Sequence, residues 1–131
     1  MILILGGRYQ GKTAYALKNY GSGTVVFDLA GQEITGMYGA GIIVNLQEGV
    51  RQLIRMDIRP EEYFRDNLAK LAGKILVGTE IGCGIVPVEK ADRAWRDETG
   101  RVYQLLAANA QKVERVWAGI PVTLKSDPER C

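Results

Sequence analysis

Ile2-Leu3-Ile4-Leu5-Gly6-Gly7-Arg8-Tyr9-Gln10-Gly11-Lys12-Thr13 is the stretch on which the fold turns. Its first four residues are apolar without alternation, the pattern of a strand buried on both faces. The next eight match G-x-x-x-x-G-K-[ST]. Glycine at 6, 7 and 11 lets the backbone wrap so that several N–H groups point at one phosphate. A helix starting near Thr13 brings the positive end of its dipole to the same place. Lys12 has the reach to set a point charge against β- and γ-phosphates, and the Thr13 hydroxyl suits Mg²⁺. The competing explanation is a glycine-rich strand–turn–helix junction with no ligand. An apolar strand directly before the motif and a helical pattern directly after it are the context that phosphate binding requires. Gly6, Gly7, Arg8, Tyr9, Gln10, Gly11, Lys12 and Thr13 are therefore the candidate nucleotide-binding set, for GTP or ATP.

Outward from this loop, short apolar runs alternate with helical stretches. Helix is expected over residues 13–19, with Ala14, Ala16 and Leu17 available for packing. Strands are expected at residues 24–27, closed by Asp28, at 42–44, at 75–77 and at 113–117. Three glycines make residues 31–40 read as loop. A helix over 48–56 presents Val50, Leu53 and Ile54 on one face. Another begins at Pro60, carries Glu61 and Glu62 in its first turn, repeats Phe64, Leu68 and Leu71, and stops at Gly73. Residues 88–110 read as helix interrupted near Gly100. Gly119-Ile120-Pro121 reads as a turn and 122–124 as an antiparallel edge strand. Continuously apolar strands alternating with helices predict an α/β fold, a mostly parallel sheet of about five strands with ligands at the C-terminal strand ends. One domain is expected over residues 1–125, followed by a polar tail at 126–131.

The 131 residues carry 17 basic and 15 acidic side chains, a net charge of +2. That balance does not support broad electrostatic binding of nucleic acid. No apolar stretch approaches the ~18 residues of a membrane span. Cys83 and Cys131 make neither a disulfide framework nor a zinc site, which fits a reduced, cytoplasmic setting. There is no histidine. Catalytic His pairs, His metal ligands and phosphohistidine or guanylylhistidine intermediates are all excluded within this sequence.

Gly78-Thr79-Glu80-Ile81-Gly82-Cys83-Gly84-Ile85-Val86-Pro87 runs from a strand into a carboxylate and a glycine-rich loop. Glu80 stands where a metal or substrate would lie, and equally where a solvated turn carboxylate would. This segment resembles the Asn-Glu-Val-Gly-x-Gly-Ile-Val-Pro signature of the adenosylcobinamide kinase/adenosylcobinamide-phosphate guanylyltransferase family. Arg93-x-Trp95-Arg96-Asp97-x-x-Gly100-Arg101-x-x-Gln104-x-Leu106-Ala107 and Val116-x-Ala118-Gly119-Ile120-Pro121-x-x-x-Lys125 continue the resemblance, and the phosphate loop also resembles that family's. It covers roughly residues 1–20 and 74–125. The resemblance implies a RecA-like P-loop fold, phosphorylation of the aminopropanol hydroxyl of adenosylcobinamide followed by GMP transfer, and a homotrimer.

Residues 21–73 match that family poorly and are shorter than its middle segment, which carries the histidine that accepts GMP. The guanylyltransferase half-reaction is therefore expected to be lost. The family's acidic residue after the third strand corresponds here to Asn45, a poor substitute beside a hard cation. Asp28, Glu48 and Glu80 are the acids left to compensate. Lys12 and Glu80 are the catalytic candidates, and Thr13 and Glu80 the candidate Mg²⁺ ligands. Two readings stay open: a kinase of the adenosylcobinamide kinase type, or a non-catalytic or repurposed GTP/ATP-binding protein on the same scaffold.

Arg93, Arg96 and Arg101 could meet phosphates or a neighbouring subunit, but Asp92–Arg96 and Arg93–Asp97 have the i, i+4 spacing of a salt-paired helix face. Trp95 could stack on a base, with apolar packing the more frequent fate of such a ring. Trp117 reads as core. Tyr9 could cover a nucleotide or face solvent.

Overall fold

The computed structural model describes residues 1–81 and 90–127. Cys83, Cys131, the 82–87 part of the glycine-rich signature and the expected helix start at Val88 lie outside the described residues.

In chain order the elements are β1 (Ile2–Gly6), α1 (Lys12–Tyr20), β2 (Val26–Asp28), β3 (Ile42–Val44), α2 (Leu46–Arg55), α3 (Pro60–Asp66), β4 (Ile75–Thr79), α4 (Lys90–Asn109), β5 (Lys112–Trp117) and β6 (Ile120–Ser126). The sheet runs β2-β3-β4-β1-β5-β6. All pairings are parallel except β5–β6. This is the α/β arrangement of a RecA-like P-loop fold, with the expected antiparallel strand at its edge. β1 lies between β4 and β5, which places the ends of those strands beside the phosphate loop.

Strand side chains alternate between two apolar layers. Ile4, Ile42, Val44, Val77 and Val116 pack with Ala16 of α1 on one side of the sheet. Leu3, Ile43, Leu76 and Val113 face the other side with Leu46, Val50 and Leu53 of α2, Phe64 of α3, and Val102 and Leu106 of α4. Both faces of the central strands are therefore dry, as their unbroken apolar sequences require. Phe64 is fully buried, and truncating such a ring typically costs ~3–5 kcal/mol.

Several local expectations are corrected. Residues 31–40 are not plain loop: Ile34–Gly39 is a 3₁₀ segment that buries Ile34 and Met37. α2 starts at Leu46, two residues earlier than its periodicity suggests, because Asn45 takes the left-handed conformation (φ 60°) that ends β3 abruptly. The helix from Pro60 tightens into a 3₁₀ turn at Leu68–Leu71 before Gly73. Gly100 does not interrupt α4. A glycine costs a helix only ~1 kcal/mol, and the burial of Thr99, Val102 and Tyr103 around it outweighs that. Pro121 does not turn the chain but pairs with Val116 inside β6, as an edge strand allows. Ala118 (φ 51°) and Gly119 (φ 76°) make the turn. Ser126 belongs to β6, and Asp127 N–H donates to Gln111 O at 2.8 Å.

Four apolar residues face outward against expectation, Val25 and Val26 of the strand expected at 24–27 among them, and that strand starts only at Val26. Leu17 lies on the exposed side of α1, and Trp117 is 67% exposed. Trp117 points opposite to buried Val116, in the last position of β5, past the helices that cover Val113.

Candidate nucleotide site

Gly6 ends β1 because no other residue fits: a Cβ there would stand 2.6 Å from Val116 O on β5. The chain then passes through Tyr9 (φ 63°) and Gly11 (φ 83°), both left-handed. Such positions favour glycine, and Tyr9 is a strained exception. Gln10 ties the loop to the β5–β6 turn. Its carbonyl accepts from Gly119 N–H at 2.8 Å and its side-chain oxygen from Ala118 N–H at 2.6 Å. A loop built from two left-handed residues and pinned at its tip is pre-shaped before any ligand arrives. Tyr9 itself is 93% exposed, so its ring packs on no other part of the protein among the described residues.

Lys12 is the first residue of α1 and only 8% exposed. Its Nζ donates to Gly7 O at 3.2 Å, so the ammonium folds back over the loop it serves. Burial lowers its pKa from the usual lysine value, Glu80 opposes that shift, and Arg8 adds to it. Glu80 is thus close enough to act electrostatically on Lys12. The first turn of α1 holds no acidic side chain that would compete with an anion.

Glu80 follows β4 directly, and its N–H donates to Gly6 O at 2.8 Å, extending the β1–β4 pairing by one bond. Its carboxylate is not a free turn residue. Arg115 Nε donates to Oε1 at 2.8 Å and a terminal guanidinium nitrogen donates to Oε2 at 2.9 Å. This two-pronged fork fixes the carboxylate in direction as well as distance. Arg115 lies opposite Leu5 in the β1–β5 register, one residue short of the loop.

A polar relay holds the strand ends. Asn45 Nδ2 donates to Asp28 Oδ1 at 2.7 Å, Gln47 Nε2 donates to Asn45 Oδ1 at 3.1 Å, and Thr79 N–H donates to Gln47 Oε1 at 3.0 Å. Trp95 Nε1–H donates to Gln47 O at 2.7 Å, while the Arg51 guanidinium lies 3.8 Å over the indole ring. Trp95 is thus a brace for α2 rather than an exposed base-stacking platform. Tyr103 closes the back of the site by donating to Thr79 O at 2.7 Å. Its phenol is held well above the usual tyrosine range by burial, with Glu80 and Glu48 adding to the shift.

Asn45 therefore joins Asp28 to Gln47, and of the three remaining acids Glu80 is the one bonded to the loop, through its N–H to Gly6 O. Asp28 is engaged by Asn45 and by Ala30 N–H, and Glu48 pairs with Arg51. A Mg²⁺ arriving with a triphosphate keeps mostly phosphate and water ligands and needs one or two protein groups. The Thr13 hydroxyl and the Glu80 carboxylate are the groups here that would supply that number. Among the described residues no cluster of three or more His, Cys, Asp or Glu could hold a metal by itself.

Sequence reasoning passes over Arg115, Gln47 and Tyr103. The available signal for Arg115 was the charged pair Glu114-Arg115 inside the expected strand 113–117, whose other residues are apolar. Arg96 pairs with its neighbour Asp97 at 3.3 Å rather than with Asp92, and Arg101 pairs with Glu98 at 2.7 Å. The salt-paired face exists with different partners. No helix among the described residues is long and apolar enough to cross a membrane.

A bifunctional adenosylcobalamin biosynthesis protein of Pseudomonas aeruginosa, CobP, is 39% identical over 62 residues, which are 47% of this chain and 36% of that protein. The bifunctional adenosylcobalamin biosynthesis protein CobU of Escherichia coli is 49% identical over 51 residues, 39% of this chain and 28% of that protein. CobU of Salmonella typhimurium matches to the same extent. The chain thus covers only about a third of the length of these relatives. The family model described as cobinamide kinase / cobinamide phosphate guanyltransferase matches residues 50–124, more than half of the chain and including Glu80, Arg115 and the β5–β6 turn. The chain belongs to the cobinamide kinase / cobinamide phosphate guanyltransferase family.

Proposed function

We propose that this chain is a kinase of the adenosylcobinamide type. It binds GTP or ATP with Mg²⁺ at residues 6–13 and transfers the γ-phosphoryl group to a hydroxyl of a cobinamide acceptor. The observation that carries this reading is the bond from Glu80 N–H to Gly6 O at 2.8 Å, which sets the carboxylate-bearing residue of the family signature at the first residue of the Gly6–Thr13 loop. Lys12 neutralises the β- and γ-phosphates, and Thr13 and Glu80 hold the metal–phosphate unit, Glu80 directly, through water, or as base toward the acceptor hydroxyl. In the transfer the acceptor oxygen bonds to the γ-phosphorus and the bond to the β-phosphate oxygen breaks. The hydroxyl proton leaves to Glu80 or to water. Mg²⁺, when bound, supplies charge neutralisation at the phosphates.

The guanylyl transfer is absent from this reading, since the sequence offers no histidine to carry GMP. A hollow of about 280 Å³ lined by residues 29–33, Glu48, Gln52 and Arg55 opens beside Asp28. It is small for a corrinoid, so neighbouring subunits would share in enclosing the acceptor. A cytoplasmic homo-oligomer, a trimer by the family resemblance, is part of the proposal. Exposed Trp117, Ile120, Val122 and Leu124 on the β5–β6 hairpin support an apolar contact. One observation favours a second reading, a nucleotide-binding protein without turnover: Asn45 stands where the family resemblance places an acid.

The test is transfer of γ-labelled GTP or ATP to adenosylcobinamide in the presence of Mg²⁺. Label is expected on the cobinamide, and Glu80→Gln is expected to abolish it with the circular dichroism spectrum unchanged. α-Labelled GTP is expected to leave no label on the protein. Binding without transfer from either nucleotide would decide for the second reading.

A further inference from the structure

The Glu80–Arg115 fork sits at the mouth of a loop shaped for phosphate, and its geometry has a consequence for ligand entry. A guanidinium offers the same pair of parallel N–H bonds to a phosphate as to a carboxylate. Arg115 holds that pair on Glu80 at the strand ends where the loop begins. It lies opposite Leu5, and the carbonyl of the next residue, Val116, packs against Gly6. Beyond it, Ala118 and Gly119 bind Gln10 of the loop. The Arg115 side chain is half exposed, so its head can turn without unpacking the core.

We propose that Arg115 exchanges partners when a triphosphate binds: it releases Glu80 and takes phosphate oxygens in place of the carboxylate. Glu80 is then freed to turn toward the metal-bound end of the nucleotide. The two moves help each other, because the incoming phosphate repels the carboxylate while competing for the same fork. Arg115 is in this account a phosphate-binding residue that also holds Glu80 until a triphosphate displaces it. The inference rests on nucleotide binding at residues 6–13, though not on turnover.

The experiment is a double-mutant cycle read by calorimetry, with GTP and ATP titrated in EDTA so that no metal bridges the groups. The proteins are wild type, Glu80→Gln, Arg115→Met and the double variant. Glu80→Gln removes the charge that the Arg115 fork binds at Glu80, so triphosphate affinity should rise by roughly threefold or more, the scale of an exposed charge pair. In the Arg115→Met background the same substitution should give little or no gain. A gain of equal size in both backgrounds would mean that Glu80 merely repels the nucleotide, and would overturn the exchange. So would the absence of any gain in Glu80→Gln. Should Arg115→Met fail to fold, Arg115→Lys replaces it in the cycle, since lysine keeps the charge but not the fork, and the gain should shrink. Triphosphate binding by wild type without transfer to cobinamide would defeat the kinase reading and leave this proposal standing. No triphosphate binding at all would overturn both.

Discussion

Asn45 Nδ2 donates to Asp28 Oδ1 at 2.7 Å across the C-terminal ends of two neighbouring parallel strands. A carboxylate at position 45 could not make that bond. The backbone of residue 45 is also left-handed, a conformation that Asn and Asp tolerate better than most residues. Asn45→Asp is therefore expected to keep the backbone and break the relay. It would set two carboxylates against each other and remove the donor that Asp28 now uses. Urea denaturation at pH 7 should show a loss of about 1–2 kcal/mol. The loss should shrink near pH 4, where model carboxylates take up protons. A variant as stable as wild type at both pH values would show that the relay carries no weight.

Gly78 and Tyr103 make a second exacting contact. A Cβ on Gly78 would stand 2.5 Å from the Tyr103 hydroxyl oxygen and 2.7 Å from the ring carbon that bears it. Tyr103 is buried and bonded to Thr79 O, so it has little room to withdraw. Gly78→Ala should cost about 1–3 kcal/mol by overpacking. Tyr103→Phe should not restore the loss, because the ring carbon remains in the way. The midpoints of chemical unfolding for the two single variants and the pair test this.

Much of this architecture was legible in the sequence, and the reason is physical. Residues 2–5, 42–44 and 75–77 are apolar without a break because both faces of their strands are covered, and a strand covered on both faces needs no tertiary knowledge to recognise. The phosphate loop was legible because its glycines answer a backbone demand, here the φ of Gly11 and the approach of Val116 O to Gly6. Arg115 was not legible, since its role exists only once β5 lies beside β1 and its head meets Glu80, 35 positions away. Trp117 was misread for the converse reason. Its apolar neighbours suggest core, while the limit of helical cover over the sheet is a tertiary fact.

The charge that faces α1 has its own partners. Glu114 on β5 is almost fully buried and accepts hydrogen bonds from the hydroxyls of Tyr15 and Tyr20, with Lys112 Nζ at 3.8 Å. Burial, followed by bonding to this carboxylate, raises both phenols above the usual tyrosine range. Tyr15→Phe and Tyr20→Phe should each cost about 1 kcal/mol. Together they should cost more than the sum, since the buried carboxylate would keep only the distant lysine. Additive losses in thermal unfolding would argue that water replaces the phenols.

Lys12 gives the last prediction, in which function and stability pull in opposite directions. Lys12 is buried as a residue, with its ammonium only partly withdrawn from water, and that ammonium meets one carbonyl at 3.2 Å. Burial lowers its pKa below the unfolded value of 10.5, which means that the charged form is less welcome in the fold than in water. The sign follows from proton linkage. Below the lowered pKa the folded chain carries the full penalty of burying the charge. As pH rises through that pKa toward the unfolded one, the folded lysine sheds its proton first and the penalty is relieved. Lys12→Met keeps the length and removes the charge, so it should raise the melting temperature at pH 7. The gain should diminish by pH 10, comparing variant and wild type at each pH so that other titrating groups cancel. The same substitution should sharply weaken triphosphate binding while affecting nucleoside binding less. A variant that melts lower than wild type at pH 7 would mean that the ammonium, through Gly7 O and the nearby Glu80, holds the empty loop together.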